Sequence, residues 1–316
     1  MTRFVVRRSL QALIVLALVS VFTFLIFQVI PNGSPAARMA GRTASPAQIA
    51  AIARSWGFNR PIYIQYLHMM DKIFTGSVIS YSQQINVLDQ IKRGLPATIS
   101  LAAGAGVIWL ALGILIGLLS AIRPGRLLDN TLGFLALTSI SAPVFVIGAV
   151  LLYALAYRTS VLPSGGYVPL TDNPWQWFEH MLLPWVSLSL PFIGFYSRVL
   201  RGNILDAKHE DYVRMARAKG LSGRRVLTRH VLRNSLIPIM ALWGLDFAGV
   251  VGGGAILIES IFDLNGVGQY AAESIKTLDV PPIMVIVMYT AVLVVVVAAL
   301  VDILYAYLDP RISLND

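Results

Sequence analysis

LPATISLAAGAGVIWLALGILIGLLSAI, residues 95–122, runs without a charged side chain. A helix needs about 20 apolar residues to cross the hydrocarbon core of a bilayer. The run is therefore long enough to span, and it stops at Arg123-Pro124-Gly125. Outward from it, five further segments read the same way. Leu10–Ile30 and Thr131–Tyr157 are also uncharged, the latter with Pro143 inside. Met181–Ser197 is short and broken by Pro184 and Pro191. Ser235–Ile258 holds one acid, Asp246, and Val280–Leu308 holds one, Asp302. The expectation is an all-α, polytopic membrane protein with six transmembrane helices. Internal prolines are compatible with it, because neighbouring groups satisfy the carbonyls they free.

Composition agrees. Of 316 residues, 56% are hydrophobic and 13% are charged, against about a quarter charged in soluble domains. The net charge of +9 would suggest nucleic acid on a soluble protein. In a membrane protein it follows from the bases that collect in cytoplasmic loops. The absence of cysteine excludes disulfides, zinc thiolates and thiol catalysis. Leu10–Ile30 follows Arg3, Arg7 and Arg8, but it exceeds the roughly 7–15 residues of a signal-peptide core and reads as a retained first span.

Charge orients the spans. Arg123 and Arg126 lie between the second and third. Arg198, Arg201, Lys208, Arg214, Arg217, Lys219, Arg224, Arg225, Arg229 and Arg233 lie between the fourth and fifth. The alternate connections, Ser160–His180 and Glu259–Asp279, are acidic. Both termini then face the cytoplasm. The expected organisation is a cytoplasmic N-terminus at 1–9, a first span at 10–30, an external helical loop at 31–94, and a five-helix core at 95–308. The core contains a cytoplasmic loop at 198–235, and a cytoplasmic C-terminus occupies 309–316. In the external loop, Ser45-Pro46 starts a short helix over Ala47–Trp56, stopped near Gly57. A second helix runs from Pro61 to Phe74 with Gly76 past its end. Its stripe of Ile62, Tyr66, Met69, Met70 and Ile73 serves either packing on the loop or docking of an external partner. Glycines at 104, 106, 113 and 117 in the second span, and at 249 and 252–254 in the fifth, suit close helix approach or a lined pathway.

The fourth-to-fifth connection is too regular for a simple turn. His209–Met240 reads HEDYVRMARAKGLSGRRVLTRHVLRNSLIPIM. Asp206–Lys219 is rich in helix formers, Gly220 breaks it, and Gly223–Asn234 begins a second stretch. Bases spread around both helices, which argues against an amphipathic surface helix. The small residues Ala216 and Ala218 offer a knob for a groove on another protein.

This loop resembles the EAA loop in the membrane subunits of ABC importers. That motif reads Glu-Ala-Ala, three residues, Gly, nine residues, Ile-x-Leu-Pro. Aligned on Gly220, its first positions fall on Arg214, Met215 and Ala216, and its last on His230, Val231, Leu232 and Arg233. Ala216, Gly220 and Leu232 match the general form. The variant D-Y-V-R-M-A-R-A-K-G-L, followed by H-x-L-R-N, is similar to the version in dipeptide and oligopeptide permeases. The resemblance runs along nearly the whole chain: R-F-V-V-R-R at the start, R-P-I-Y-I-Q-Y-L at Arg60–Leu67, L-P-A-T-I-S-L at Leu95–Leu101, L-L-D-N at Leu127–Asn130, I-L-I-E-S-I-F at Ile256–Phe262, G-V-G-Q-Y at Gly266–Tyr270, and V-D-I-L-Y-A-Y-L-D-P-R-I at Val301–Ile312. It is similar to the first of the two permease subunits, the one with a long loop after its first span. Two departures are Gly76-Ser77-Val78-Ile79, where the family has Gly-Asp-Leu-Gly, and Asn265-Gly266-Val267-Gly268, where it has Pro-Gly-Leu-Gly.

The resemblance implies a type I ABC importer permease with a coupling helix. It implies as partners a second homologous permease, two cytoplasmic ATPases that bind ATP and magnesium, and an external binding protein or lipoprotein. ATPase closure would move His209–Arg233 as a lever. The implied coupling positions are Arg214, Met215, Ala216, Arg217, Ala218, Lys219, Gly220, Leu221, His230, Leu232, Arg233 and Asn234. Peptides are the implied cargo, with nickel and glutathione as alternatives, in a bacterial plasma membrane.

No G-x-x-x-x-G-K-[ST] phosphate loop is present, so ATP hydrolysis is expected in other chains. The four histidines form no metal-ligand spacing. Ser164-Gly165-Gly166 has no adjacent base for nucleophilic chemistry. No catalytic residue, metal or cofactor is expected in this chain. Asp246 and Asp302 remain as intramembrane acids. Asp302 lies near a span end, where it can reach the interface or pair with Arg198. Asp246 is deeper and needs a partner or a wet cavity. It also underlies the rival reading, an ion-coupled carrier or channel working without an ATPase.

Overall fold

The computed structural model describes residues 2–30, 33–41 and 44–308, with side chains between 7 and 301. Among the described residues the fold is helical, with a single antiparallel bridge between Ile79 and Asn86. The chain divides into two compact units. One comprises the chain up to residue 99 together with 251–296; the other comprises 100–250 and the chain from 297.

In the first unit, α1 (Thr2–Phe24) continues as a π-helical turn, Leu25–Val29. Two short helices follow, α2 (Pro35–Ala40) and α3 (Pro46–Trp56). Helix α3 starts as its sequence predicts. The Ser45 hydroxyl accepts from the Gln48 amide at 3.3 Å, and the Gln48 side chain accepts from the Ser45 amide at 2.8 Å. This is a capping box that satisfies two orphan donors. Gly57 ends the helix in the left-handed region. Helix α4 (Ile62–Thr75) ends the same way at Gly76. Its inner stripe packs: Met69 is fully buried and Tyr66, Met70 and Ile73 lie against the same core. That core joins Phe24, Met39, Ile52 and Trp56 to Val87, Ile91, Tyr270 and Met284, so the loop after α1 is a folded part of its unit.

Helix α5 (Val87–Ile122) begins earlier than the apolar run, because Asn86 caps it by accepting from the Asp89 amide at 3.1 Å. The third segment is not one straight span. Helices α6 (Leu127–Ser141) and α7 (Val144–Leu151, prolonged by a π-helical Leu152–Tyr157) meet at 101°. Pro143 lacks the amide that would continue the ladder, and it holds Ala142 extended. The opposite correction applies to the fourth segment. It is the middle of one long helix, α8 (Pro174–Ala207), which continues through Pro184 and Pro191. The Asn173 side chain caps it, accepting from the amides of Trp175 and Gln176 at 3.1 Å each. Among the described residues, four helices are long and apolar enough to cross a membrane, or five with the bent pair. Helix α8 is not among them, so the count of six expected from the sequence is not reached on length and hydropathy.

Helix α9 (Asp211–Ala218) follows α8. After it, α10 (Gly223–Val226), a π-helical Leu227–Leu232 and α11 (Arg233–Gly249) run on without a break. The second loop helix is therefore the leading end of the fifth span. That span ends near Gly253, whose φ of 121° interrupts the π-helical turn Val250–Gly254, rather than at Ile258. Helices α12 (Ile256–Ile261) and α13 (Val267–Lys276) then lead to α14 (Val280–Leu308).

The crowded glycines of α5 are close-packing sites. A Cβ on Gly104 would overlap the Trp185 indole, one on Gly113 would sit 2.7 Å from Tyr196, and one on Gly117 would sit 2.7 Å from the Ser197 carbonyl. These contacts bring α5 against α8, and Gly244 likewise admits Val301 of α14 against α11.

Candidate functional site

The positions that the resemblance singles out for coupling gather on an elbow in the second unit. Helix α8 ends at Ala207, and Lys208 caps it. The Lys208 ammonium donates to the carbonyl of Ala121, in the last turn of α5, a helix end that favours a cation. Burial, and next the nearby charge of Arg217, lower the pKa of Lys208. Helix α9 turns Val213 and Ala216 inward, at 0% and 5% exposure. It packs on the stretch from Gly223 to Leu232, where Val226 and Val231 are buried. Helix α9 is thus amphipathic, contrary to the expectation from its scattered bases. Only three helical positions separate Val213 from Ala216, which puts both on one face.

The same packing corrects the role of Ala216: it is a core residue of this chain and not a knob. The outward face of the elbow is Arg214, Met215, Arg217, Ala218, Lys219 and Gly220. Met215, at 58% exposure, is its large apolar side chain. Gly220 turns the chain with φ of 77° and has open space where a side chain would begin. Glycine adopts that conformation without the Cβ clash other residues meet. Leu221, His230, Leu232 and Asn234 are half-buried and Arg233 is exposed. His230 and Leu232 belong to the π-helical turn against which α9 rests.

Beneath the elbow is a clamp that the sequence did not signal. Asp129, in the first turn of α6, is 5% exposed. It accepts from Arg201 Nε and a terminal guanidinium nitrogen at 2.7 Å each, from the Gly125 amide at 2.8 Å, and from the Ser120 hydroxyl. One carboxylate so ties the ends of α5, α6 and α8 together. Asp129 lay in the Leu127–Asn130 match and Arg201 among ten loop bases; neither position marks a pair 72 residues apart.

Asp246, on α11, is half-buried and accepts from the Tyr196 hydroxyl at 2.7 Å. Among the described residues its partner is this hydroxyl rather than a base. Around it, Trp109 stacks on Phe192 with ring centroids 4.5 Å apart, and the Trp243 indole donates to the Gly106 carbonyl at 3.0 Å. The Asp302 side chain lies outside the described residues.

In the first unit, Glu259 is a second buried acid that sequence reading counted only as loop charge. It is 1% exposed and accepts from the Gln269 amide at 2.9 Å. Gly266 and Gly268 approach it so closely that neither could carry a Cβ without displacing it. Burial raises its pKa, against the opposing hydrogen bonds from Gln269, Thr98 and Gly268.

Residues 113–314 match the family described as binding-protein-dependent transport system inner membrane component, and residues 1–102 match its N-terminal counterpart. A probable peptide ABC transporter permease protein of Sinorhizobium fredii is 36% identical over 98% of each chain. The dipeptide transport system permease protein DppB of Lactococcus lactis is 34% identical, covering 99% of this chain and 100% of its own. A chain of the MetNI methionine ABC transporter, in an inward-facing conformation, superposes with a TM-score of 0.52 at 16% identity. It covers 70% of this chain and 97% of its own, which supports the shared permease fold. The chain therefore belongs to the binding-protein-dependent inner membrane components, as a multi-pass permease subunit of an ABC importer that is itself no enzyme.

Proposed function

We propose that this subunit forms half of a pathway for peptides and receives its driving motion at the α9–Gly220 elbow. A permease of this family implies an ATPase, a substrate-binding protein and a second permease. The finer assignment is two cytoplasmic ATPases holding ATP and magnesium, one homologous permease, and an external binding protein or lipoprotein. The membrane is a bacterial plasma membrane with both termini on its cytoplasmic side. Peptide cargo is supported by the names of relatives at 36% and 34% identity.

The observation that carries the coupling assignment is the two-sidedness of α9. Its inner face is sealed by Val213 and Ala216. Its outer face presents Met215 among Arg214, Arg217 and Lys219. An apolar side chain in a basic collar fits a groove with an apolar floor and an acidic rim. The elbow is also joined to the body of its unit by Lys208 and the Asp129–Arg201 clamp, so a push on α9 reaches α5, α6 and α8.

The test uses outward-facing substitutions in the assembled importer. Met215→Glu and Ala218→Trp leave the inner face intact, so membrane insertion and pairing with the second permease persist. Co-purification of the ATPase falls, and uptake of labelled di- and oligopeptides falls with it. Ala216→Trp serves as a contrast, because it overpacks the chain's own core at a cost of about 1–3 kcal/mol and lowers the yield of the permease itself. Normal ATPase retention and uptake in both outward variants would remove the elbow from coupling. Uptake of nickel or glutathione in place of peptide would remove the cargo assignment alone.

A further inference from the structure

The segment after α1 reads from sequence as an external helical loop. Its helix α4 has the wrong surface for water. Tyr63, Leu67 and Phe74 are 64%, 61% and 81% exposed. Their spacing of four and then seven residues places them on one stripe. That stripe adjoins the inner one of Tyr66, Met69 and Ile73, already packed on the core. The apolar face of α4 therefore extends beyond the part that packs on the core; Asp71 and Thr75 flank it with Ile64 between them, and Gln65, His68 and Lys72 lie against Phe58, Gly57 and Trp56. Helix α3 provides an internal control. It belongs to the same subdomain, and its outward residues are Ala47, Gln48, Ala50, Ala51, Arg54 and Ser55, all small or polar.

The position of α4 explains the difference. It packs against α1, and the contact is not at the tip of that helix. The Tyr66 hydroxyl lies 2.7 Å from that of Ser20, and its ring meets Phe24 edge-on at 5.5 Å. Ser20 is ten residues before Ile30, where the apolar run of α1 ends. At 1.5 Å per residue that is about 15 Å along the helix, half of a hydrocarbon core about 30 Å thick. On the same helix Leu13, Ile14, Leu18 and Phe22 are exposed, as the lipid-facing surface of a span must be.

We propose that α4 is an interfacial membrane helix, seated in the external leaflet beside α1, with Tyr63, Leu67 and Phe74 against lipid acyl chains. The occupant of the exposed stripe is lipid because the stripe continues the apolar surface of the span it packs on. A helix with one broad apolar face and one polar face lies in the plane of an interface, its apolar side buried below the headgroups. The seat fixes the height of the whole subdomain relative to the bilayer, and so the height at which any external partner meets it.

The chain has no cysteine, so single labels are unambiguous. Tyr63→Cys, Leu67→Cys, Phe74→Cys and Asp71→Cys are each labelled with an environment-sensitive fluorophore in the assembled importer, reconstituted in nanodiscs. Lipids brominated on their acyl chains quench from the membrane side, and iodide quenches from water. The expected result is loss of most emission to brominated lipid and little to iodide at 63, 67 and 74, with the reverse at 71. Iodide quenching at all four positions would overturn the proposal. So would resistance to both quenchers at 63, 67 and 74, since a protein partner would then cover the stripe. Phe74 is the most exposed of the three, so its label decides the matter even if substitution at Tyr63 or Leu67 disturbs assembly.

Discussion

The Asp129–Arg201 clamp predicts an asymmetric response to the loss of its two halves. Asp129 is 5% exposed and Arg201 is 34% exposed. Replacing Arg201 by Met keeps the packing of the stem but strands a carboxylate in a site with little access to water. Breaking a buried pair in that way costs about 3–5 kcal/mol. Hydrogen bonds from Ser120 and Gly125 remain, so the lower end, about 3 kcal/mol, is expected. Asp129→Asn leaves the opposite residue uncompensated, but Arg201 can hydrate through its exposed third. The loss there is that of charge-assisted hydrogen bonds, about 1.5–2 kcal/mol. The double variant has neither stranded charge and should cost no more than Asp129→Asn, so the coupling in a double-mutant cycle is the whole cost of Arg201→Met, about 3 kcal/mol. Thermal unfolding of the purified importer, followed by the loss of its folded permease, gives the ranking. A cost for Asp129→Asn equal to that for Arg201→Met, or simple additivity in the double variant, would refute the reasoning.

Two further outcomes follow from single residues. Gly220 has φ of 77° with nothing near its missing Cβ, so strain and not crowding sets the cost of substitution. Gly220→Val should destabilise the elbow by about 1–2 kcal/mol and Gly220→Asn by clearly less, read as protease sensitivity of the elbow in the purified complex. Glu259 binds its proton more tightly when folded, because burial raises its pKa above an ordinary value near 4.5. Its folded form then holds more protons than the unfolded form above that value. Stability contributed here is present below pH 4.5 and is lost as pH rises through the folded pKa, and Glu259→Gln should flatten this dependence in a pH series of melting temperatures.

The sequence by itself determined the class of this protein and much of its punctuation. Uncharged runs near 20 residues leave no solution but helices in lipid, because every backbone donor must be satisfied locally. Ser45, Gly57 and Gly76 start or stop α3 and α4 where local chemistry places them, since caps act within a turn. Gly220 marks the elbow for the same reason. Tertiary structure decided what local chemistry leaves open. Prolines look alike in sequence, yet Pro143 bends its segment by 101° while Pro184 and Pro191 sit inside one continuous helix. Surrounding packing, which no window of residues contains, selects between those outcomes. Ala216 looks like an exposed knob until α9 folds onto residues 223–232 and buries it. The Asp129–Arg201 pair joins positions 72 apart, and only the return of α8 to the end of α5 and the start of α6 brings them within reach. Helix α4 shows the limit most clearly. Its apolar residues are plain in the sequence, but whether they face a protein core, water or lipid is set by where Tyr66 meets Ser20, and that contact exists only in three dimensions.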